Sequence, residues 1–90
     1  MKYPDGQIIE LGDTVSLDMP NGWQEARVVM LGSTREHLEI NQDSLDWYGS
    51  EGMDSTDILV QWTLEGEPQE GGYMATNTNC CIELVARRVT

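Results

Sequence analysis

The residue types that carry acid–base or nucleophilic chemistry are scarce in this chain of 90 residues. His37 is the single histidine, and the carboxylates of Glu36 and Glu39 stand close to it in the sequence. Such a polar stretch favours a solvated surface histidine over a general base. Serine and cysteine nucleophiles need an acceptor for their proton, and no spacing in the sequence supplies one. The sequence therefore predicts a protein that is not an enzyme.

Metal and phosphate sites also lack a recognisable pattern. One adjacent cysteine pair and one histidine do not have the ligand spacing of a zinc site. Four acids could offer oxygen ligands to Ca²⁺, although without the spacing of an EF-hand: Asp43, Asp46, Glu51 and Asp54. No glycine-rich loop precedes a helical pattern, so nucleotide binding has no support. We therefore predict no metal ion and no cofactor.

The adjacent cysteines Cys80 and Cys81 bear on the cellular compartment. Neighbouring Cα atoms lie about 3.8 Å apart, which is shorter than disulfide geometry prefers. We therefore expect two unbonded thiols in a reducing compartment. The first residues lack the basic and apolar regions of a signal peptide, and no run of about 18 apolar residues would span a membrane. These features predict a cytoplasmic protein with no membrane partner.

Charge is the strongest compositional signal. The formal net charge is −11, from 16 acidic against five basic residues. Residues 36–70 contain no Lys or Arg, and their acids are Glu36, Glu39, Asp43, Asp46, Glu51, Asp54, Asp57, Glu65, Glu67 and Glu70. Such a field repels nucleic acid and attracts basic proteins. The composition suits either a plain acidic soluble protein or one with a basic protein partner.

The elements that must position these residues are strands. Residues 57–64 form the longest β-branched and aromatic run, and Ile58, Val60, Trp62 and Leu64 share one face of it. A period of two predicts a half-buried strand that needs paired neighbours. Further strands are predicted at residues 7–10, 14–18, 23–31, 73–76 and 80–89. Residues 35–40 fit either one capped helical turn or a short strand, and we favour the strand.

Tight turns and a core follow from the same pattern. Tyr3-Pro4-Asp5-Gly6 and Leu11-Gly12-Asp13 have the residues of tight turns. In the strand at residues 23–31, Ala26, Val28 and Met30 should share one face. The chain has no Phe, so Trp23, Trp47, Trp62 and the aliphatic residues are expected to supply most of the core volume. The predicted core combines the inward residues of four strands: Val15, Val28, Val60, Trp62, Ile82 and Leu84.

The order of these elements predicts one all-β domain over residues 1–90. About five short strands with tight turns are typical of a small antiparallel barrel, which we expect to be SH3-like, of the KOW or Tudor-like kind. Residues 41–55 would form a long acidic loop with one short helical turn near residues 44–47. Loops this long in a small domain are usually functional or mobile.

The acidic loop also carries two adjacent aromatic residues, Trp47 and Tyr48. Aromatic residues ringed by charge are typical of anchors at protein interfaces. Alternatively, Trp47 folds back into the core while Tyr48 stays outside. A Tudor-like aromatic cage for a methylated amine would need three converging rings. The predicted partner-binding residues are Asp43, Asp46, Trp47, Tyr48, Glu51, Asp54 and Asp57.

The start of the chain resembles a group of short bacterial proteins. These open with a YPDG stretch followed by LGD and an SH3-like hairpin, here Tyr3-Pro4-Asp5-Gly6-Gln7, then Leu11-Gly12-Asp13 and Val15. Their middle is similar too, since a tryptophan-bearing acidic loop leads into an apolar strand, here Trp47 before Ile58-Leu59-Val60. The chain departs from that pattern in residues 23–27 and 65–81.

Small acidic proteins of this kind resemble immunity proteins encoded beside interbacterial toxins, including secreted nucleases. The resemblance implies a cytoplasmic antidote that binds and neutralises one cognate toxin, and the charge favours a basic one. The alternative is a generic SH3-like interaction or scaffold module. A KOW-like nucleic-acid-binding domain is opposed by the net charge of −11.

Overall fold

A computed structural model describes residues 1–50, 53–78 and 81–87. The elements are β1 Thr14–Met19, β2 Gly22–Leu31, α1 Gln42–Ser50, β3 Asp57–Leu64, β4 Glu67–Asn77 and β5 Ile82–Ala86. All strand pairs are antiparallel. The sheet order is β4-β3-β2-β1-β5, so four strands meander and the fifth returns beside the first. The all-β antiparallel class is confirmed.

The expected closure into a barrel is not found in the described part of the chain. The strands β4 and β5 are the two edges of an open five-stranded sheet. The strand β4 is much longer than the segment predicted at residues 73–76, because the two-residue turn after Leu64 starts its pairing with β3 at Glu67. The strand β5 is shorter than predicted, although residues 79–80 and 88–90 lie outside the described residues.

Two of the short predicted strands are reduced to single bridges. Residues 7–10 contribute only the bridge between Lys2 and Ile8, and residues 35–40 contribute only the bridge between Met30 and His37. Arg35, with a φ of 61°, turns the chain sharply after β2, so only residues 36–38 run back beside it. The segment pairs with the last residues of β2 along the same edge as β1, beyond the residues that β1 pairs with.

The two faces of the sheet bury different amounts of apolar surface. The first cluster contains nine buried residues: Tyr3, Ile9, Val15, Leu17, Ala26, Val28, Ile58, Val60 and Ile82. The second cluster has four: Val29, Met30, Met53 and Leu59. Of the predicted core, Val15, Val28, Val60 and Ile82 are confirmed as buried together. Trp62 and Leu84 are half-buried and pack against that cluster.

A bulge in β2 decides which residues face which cluster. Val28 pairs with Val60, but Met30 pairs with Leu59, so one residue is inserted between them. Met30 therefore joins Val29 in the second cluster, and the prediction that Met30 shares a face with Val28 is wrong. The strand β3 is buried on both faces from Ile58 to Gln61.

Leu64 is the second correction to the predicted inward face of β3. Its side chain is 66% exposed, because β3 ends there at the turn into β4. A strand residue at the last paired position has no neighbouring element to cover it. The period of two therefore predicts the face on which Leu64 lies but not its burial.

A buried hydroxyl–carboxylate contact fixes the N-terminal segment over the first cluster. The Tyr3 hydroxyl donates to Asp13 Oδ2 at 2.6 Å, and Asp13 is only 1% exposed. The backbone N–H of Glu10 donates to the same oxygen at 3.0 Å. Burial, and then the hydrogen bond to Asp13, raise the pKa of the Tyr3 hydroxyl above its ordinary value. The Tyr3 and Asp13 positions of the YPDG and LGD stretches therefore have a structural explanation.

Arg87 ties the end of the described chain to the same group. Its guanidinium contacts Glu10, lies 3.5 Å from Asp13 Oδ2 and donates to the Ile8 carbonyl at 2.8 Å. The buried Asp13 carboxylate thus has a cationic neighbour in addition to its hydrogen-bond donors, which offsets the cost of burying its charge.

Gly32 marks the point where the segment after α1 meets the end of β2. A Cβ atom at this position would lie 2.4 Å from the carbonyl oxygens of both Asp54 and Asp57. The Gly32 N–H donates to the Asp57 carbonyl at 2.9 Å. Any larger residue would push these backbones apart, so glycine is required for the turn at residues 54–57 to pack here.

Candidate functional site

The acidic connection between β2 and β3 forms a helix of nine residues rather than the one turn predicted at residues 44–47. Asn41 caps it, because Asn41 Oδ1 accepts from the Ser44 N–H at 3.0 Å. Asp43 lies in the first turn, where a negative charge favours the helix dipole. The helix signal in the sequence is weak, because only Leu45 and Tyr48 place apolar side chains at helical spacing on the side that faces the sheet.

The inward side of α1 is made by Leu45 and Tyr48, which lie three positions apart. Both are half-buried and pack against the second cluster, as does Tyr73 on β4. No residue of α1 is fully buried. Tyr48 is therefore part of the packing beneath the helix, and the prediction that it stands outside as an anchor is not matched by its position.

The outward face of α1 consists of Asp43, Asp46 and Trp47, at helical positions i, i+3 and i+4. All three are exposed, and Trp47 is 55% exposed. Asp46 Oδ1 accepts from Gln42 Nε2 at 2.8 Å, which orients that carboxylate along the helix. The alternative in which Trp47 fills the core is wrong, because the helix turns Tyr48 inward instead. Trp47 and Tyr48 point to different sides and do not form a converging cage.

The other predicted binding residues are distributed differently. Asp54 is exposed in the turn before β3, outside the helix. Asp57 is half-buried, and its Oδ2 accepts from the Asp54 N–H at 3.2 Å, so its carboxylate holds that turn. Glu51 lies outside the described residues. The structure therefore brings three of the seven predicted residues together on one helix face.

A cleft that the sequence did not indicate lies at the other end of the sheet. Its volume is about 430 Å³, and it is lined by Tyr3, Pro4, Asp5, Trp23, Cys81, Ile82, Glu83 and Leu84. Trp23 is 52% exposed, which contradicts the expectation that it shares the core with the aliphatic residues. The aliphatic residues of the strands fill it instead. We refer to this feature as the Trp23 cleft.

Asp5 has a fixed orientation at the Trp23 cleft. Its Oδ1 accepts from the Gln7 N–H at 3.0 Å, and its Oδ2 accepts from Gln7 Nε2 at 2.7 Å. These hydrogen bonds, the backbone one first, lower the pKa of the Asp5 carboxyl, so the group is ionised at neutral pH. The turn residues were recognisable in the sequence, but their proximity to Trp23 depends on the strand order and left no local signal.

The single histidine, the possible metal ligands and the cysteines bear on catalysis and metal binding. The ring of His37 is exposed, with Nδ1 2.7 Å from the Leu38 carbonyl oxygen. Within residues 1–50, 53–78 and 81–87, no three His, Cys, Asp or Glu side chains are grouped so that they could hold a metal ion. Cys81 is exposed, and Cys80 lies outside the described residues, so the unbonded state of the two thiols stays a prediction.

In the described part of the chain, no helix has the length and apolar character needed to cross a lipid bilayer. Comparisons of this chain with protein-family models, with curated proteins and with solved structures gave no match.

Proposed function

We propose that this protein is an antidote that binds one basic bacterial toxin and neutralises it by forming a stoichiometric complex. The outward face of α1 is the contact surface in this proposal. The observation that carries it is the exposure of Trp47 beside Asp43 and Asp46 on the outward face of a helix whose inward side packs against the sheet. An exposed indole beside carboxylates is typical of an anchor at a protein interface.

Charge supports a basic partner. The helix α1 contains no Lys or Arg, and neither residue type occurs between residues 36 and 70. A toxin that cleaves nucleic acid presents a basic cleft to its substrate, and an acidic helix complements that cleft. Complementary fields accelerate the encounter, which suits an antidote that must capture its toxin before damage occurs.

The two kinds of residue on the outward face have separable roles. Exposed carboxylates act over a distance and mainly set the association rate. A tryptophan that becomes desolvated in the complex mainly slows dissociation, and such anchors contribute about 2 kcal/mol or more when removed. Binding kinetics therefore distinguish the contributions of Asp43 and Asp46 from that of Trp47.

The test measures binding and inhibition of the toxin encoded beside this chain. We expect Trp47→Ala to accelerate dissociation by about 30-fold, the equivalent of about 2 kcal/mol, with little change in association. Asp43→Asn combined with Asp46→Asn should slow association and flatten its dependence on salt. Rates are compared at two salt concentrations, because screening removes the steering contribution.

Matched controls lie at the turn between β3 and β4. Leu64→Ala is the control for Trp47→Ala, because it removes an apolar side chain that is 66% exposed. Glu65→Gln combined with Glu67→Gln is the control for the aspartate variant, because it also removes two negative charges. Unchanged kinetics in both helix variants would exclude the outward face as the contact. Tight binding that leaves the toxin active would instead assign the chain to the interaction-module class.

A further inference from the structure

We propose that the Trp23 cleft is a second binding site, which accepts an arginine side chain from an extended basic segment of a protein. This proposal is independent of the antidote function, because it concerns the opposite end of the sheet from α1. It is carried by the shape of the cleft, the exposure of one indole and the charges around it.

The shape suits a single long side chain. At about 430 Å³, the cleft is at the lower end of the size range of ligand sites. The turn at Tyr3, Pro4 and Asp5 forms one wall, and residues 81–84 at the start of β5 form the other. Leu84 is half-buried and provides an apolar surface for the methylene groups of an arginine stem.

The indole of Trp23 is held at the cleft by three adjacent strands. Trp23 on β2 pairs with Asp18 on β1, and the Asp18 N–H donates to the Cys81 carbonyl beside β5 at 2.9 Å. Directly paired strand residues have their Cβ atoms about 5 Å apart, so Asp18 and Trp23 are neighbours on one face of the sheet. The aromatic ring therefore stands in a negatively charged setting while half of its surface meets water.

The charged side chains among the described lining residues of the cleft are both carboxylates. Asp5 and Glu83 line the cleft, and its described lining residues include no Lys or Arg. Asp5 is already oriented by Gln7, and each of its oxygens retains a lone pair for a further donor. A cation that enters the cleft thus meets a carboxylate that is already oriented, so binding costs little conformational entropy at Asp5.

Arginine matches these groups better than the other cationic side chain. Its planar guanidinium stacks on an indole and still donates sideways to carboxylates, whereas the lysine ammonium is a compact, strongly hydrated point charge. Free polyamines share the positive charge but have no planar group to stack. The cleft therefore selects for a guanidinium.

The experiment titrates the full chain, labelled with ¹⁵N, with the peptide acetyl-Gly-Arg-Gly-amide. Three indole N–H signals are assigned with Trp23→Phe, Trp47→Phe and Trp62→Phe. We expect the Trp23 signal to shift and saturate at millimolar peptide, while the Trp47 and Trp62 signals remain within a fifth of that shift. Trp47 is the matched reference, because it is similarly exposed and has acidic neighbours on its helix but does not line the Trp23 cleft.

Three further titrations test the chemistry. The uncharged citrulline peptide and spermidine should each bind at least fivefold more weakly than the arginine peptide. Asp5→Asn combined with Glu83→Gln should weaken arginine binding at least threefold without changing the circular dichroism spectrum. An unshifted Trp23 signal, equal shifts at Trp23 and Trp47, equal binding of citrulline or spermidine, or unchanged binding by the double variant would each overturn the proposal.

Discussion

The two faces of the sheet are covered by different kinds of structure. On the first face, strand residues and the N-terminal segment bury nine side chains, and the Tyr3–Asp13 hydrogen bond and Arg87 fix that segment in place. On the second face, only four side chains are fully buried. They are covered by α1 and residues 38–40, whose packed side chains are themselves only half-buried. The first face provides stability, whereas the second holds a helix on the surface with its acidic side outward.

The second face also contains a network of hydrogen-bonded polar side chains. The second face includes the buried side chain of Gln61, whose Oε1 accepts from Arg27 Nε at 3.1 Å and Arg27 Nη2 at 3.0 Å. Its Nε2 donates to the Gln69 carbonyl at 3.1 Å. This polar network lies where the apolar cover ends, so the second cluster cannot extend along the whole sheet.

The largest expected effect comes from two neighbouring residues of β3. Ile58 and Leu59 are both fully buried but face opposite clusters. We expect Ile58→Ala to lower the free energy of unfolding by about 4 kcal/mol and Leu59→Ala by about 2 kcal/mol, because α1 can settle into the space left on the second face. Urea unfolding measures both values. A larger loss for Leu59→Ala would reverse the assignment of the two faces.

The second prediction concerns the attachment of the N-terminal segment. Tyr3→Phe removes a hydrogen bond to a buried carboxylate, and we expect a loss of about 2 kcal/mol in the free energy of unfolding. Tyr73→Phe is the control, because its hydroxyl is 3.5 Å from both Asn41 N and Gln61 Nε2 and should matter by less than about 0.5 kcal/mol. Equal losses would show that the Tyr3 hydrogen bond contributes no more than the long contacts of the half-buried Tyr73 hydroxyl.

The smallest expected effect is confined to α1. Asn41→Ala removes the helix cap, which is worth about 1 kcal/mol, and should make the amides of α1 exchange about fivefold faster with solvent. Amides of β1 and β2 should be unaffected. Gln42→Ala keeps the cap and removes only the hydrogen bond to Asp46, so it should change exchange much less. Faster exchange throughout the sheet would mean that the helix and the first face unfold together.

Period-two alternation and turn residues made a large part of the fold predictable. The strands β1, β2 and β3 and the turns at Tyr3–Gly6 and Leu11–Asp13 follow directly from local residue types. Four of the six predicted core residues are buried in one cluster. Such features depend on which face of a strand a residue occupies, which is a local property.

The missed features depend on structure outside any local window. The bulge at Val29 redirects Met30 without any special residue type at that position. The helix α1 depends on the Asn41 cap and on a sheet surface that receives Leu45 and Tyr48. The Trp23 cleft combines segments from both ends of the chain. The residue types of the candidate site, acids beside two aromatic residues, were therefore evident in the sequence. Which of them point inward and which point outward was not.

The open sheet has a consequence for how copies of the protein behave together. An edge strand offers unpaired backbone groups to other chains, and β4 is eleven residues long. Its first half carries Glu67 and Glu70, has Pro68 where no N–H can be donated, and bends at Gly71, whose φ is 76°. The net charge of −11 repels other copies as well, so both the charge and the shape of this edge oppose strand pairing between two molecules.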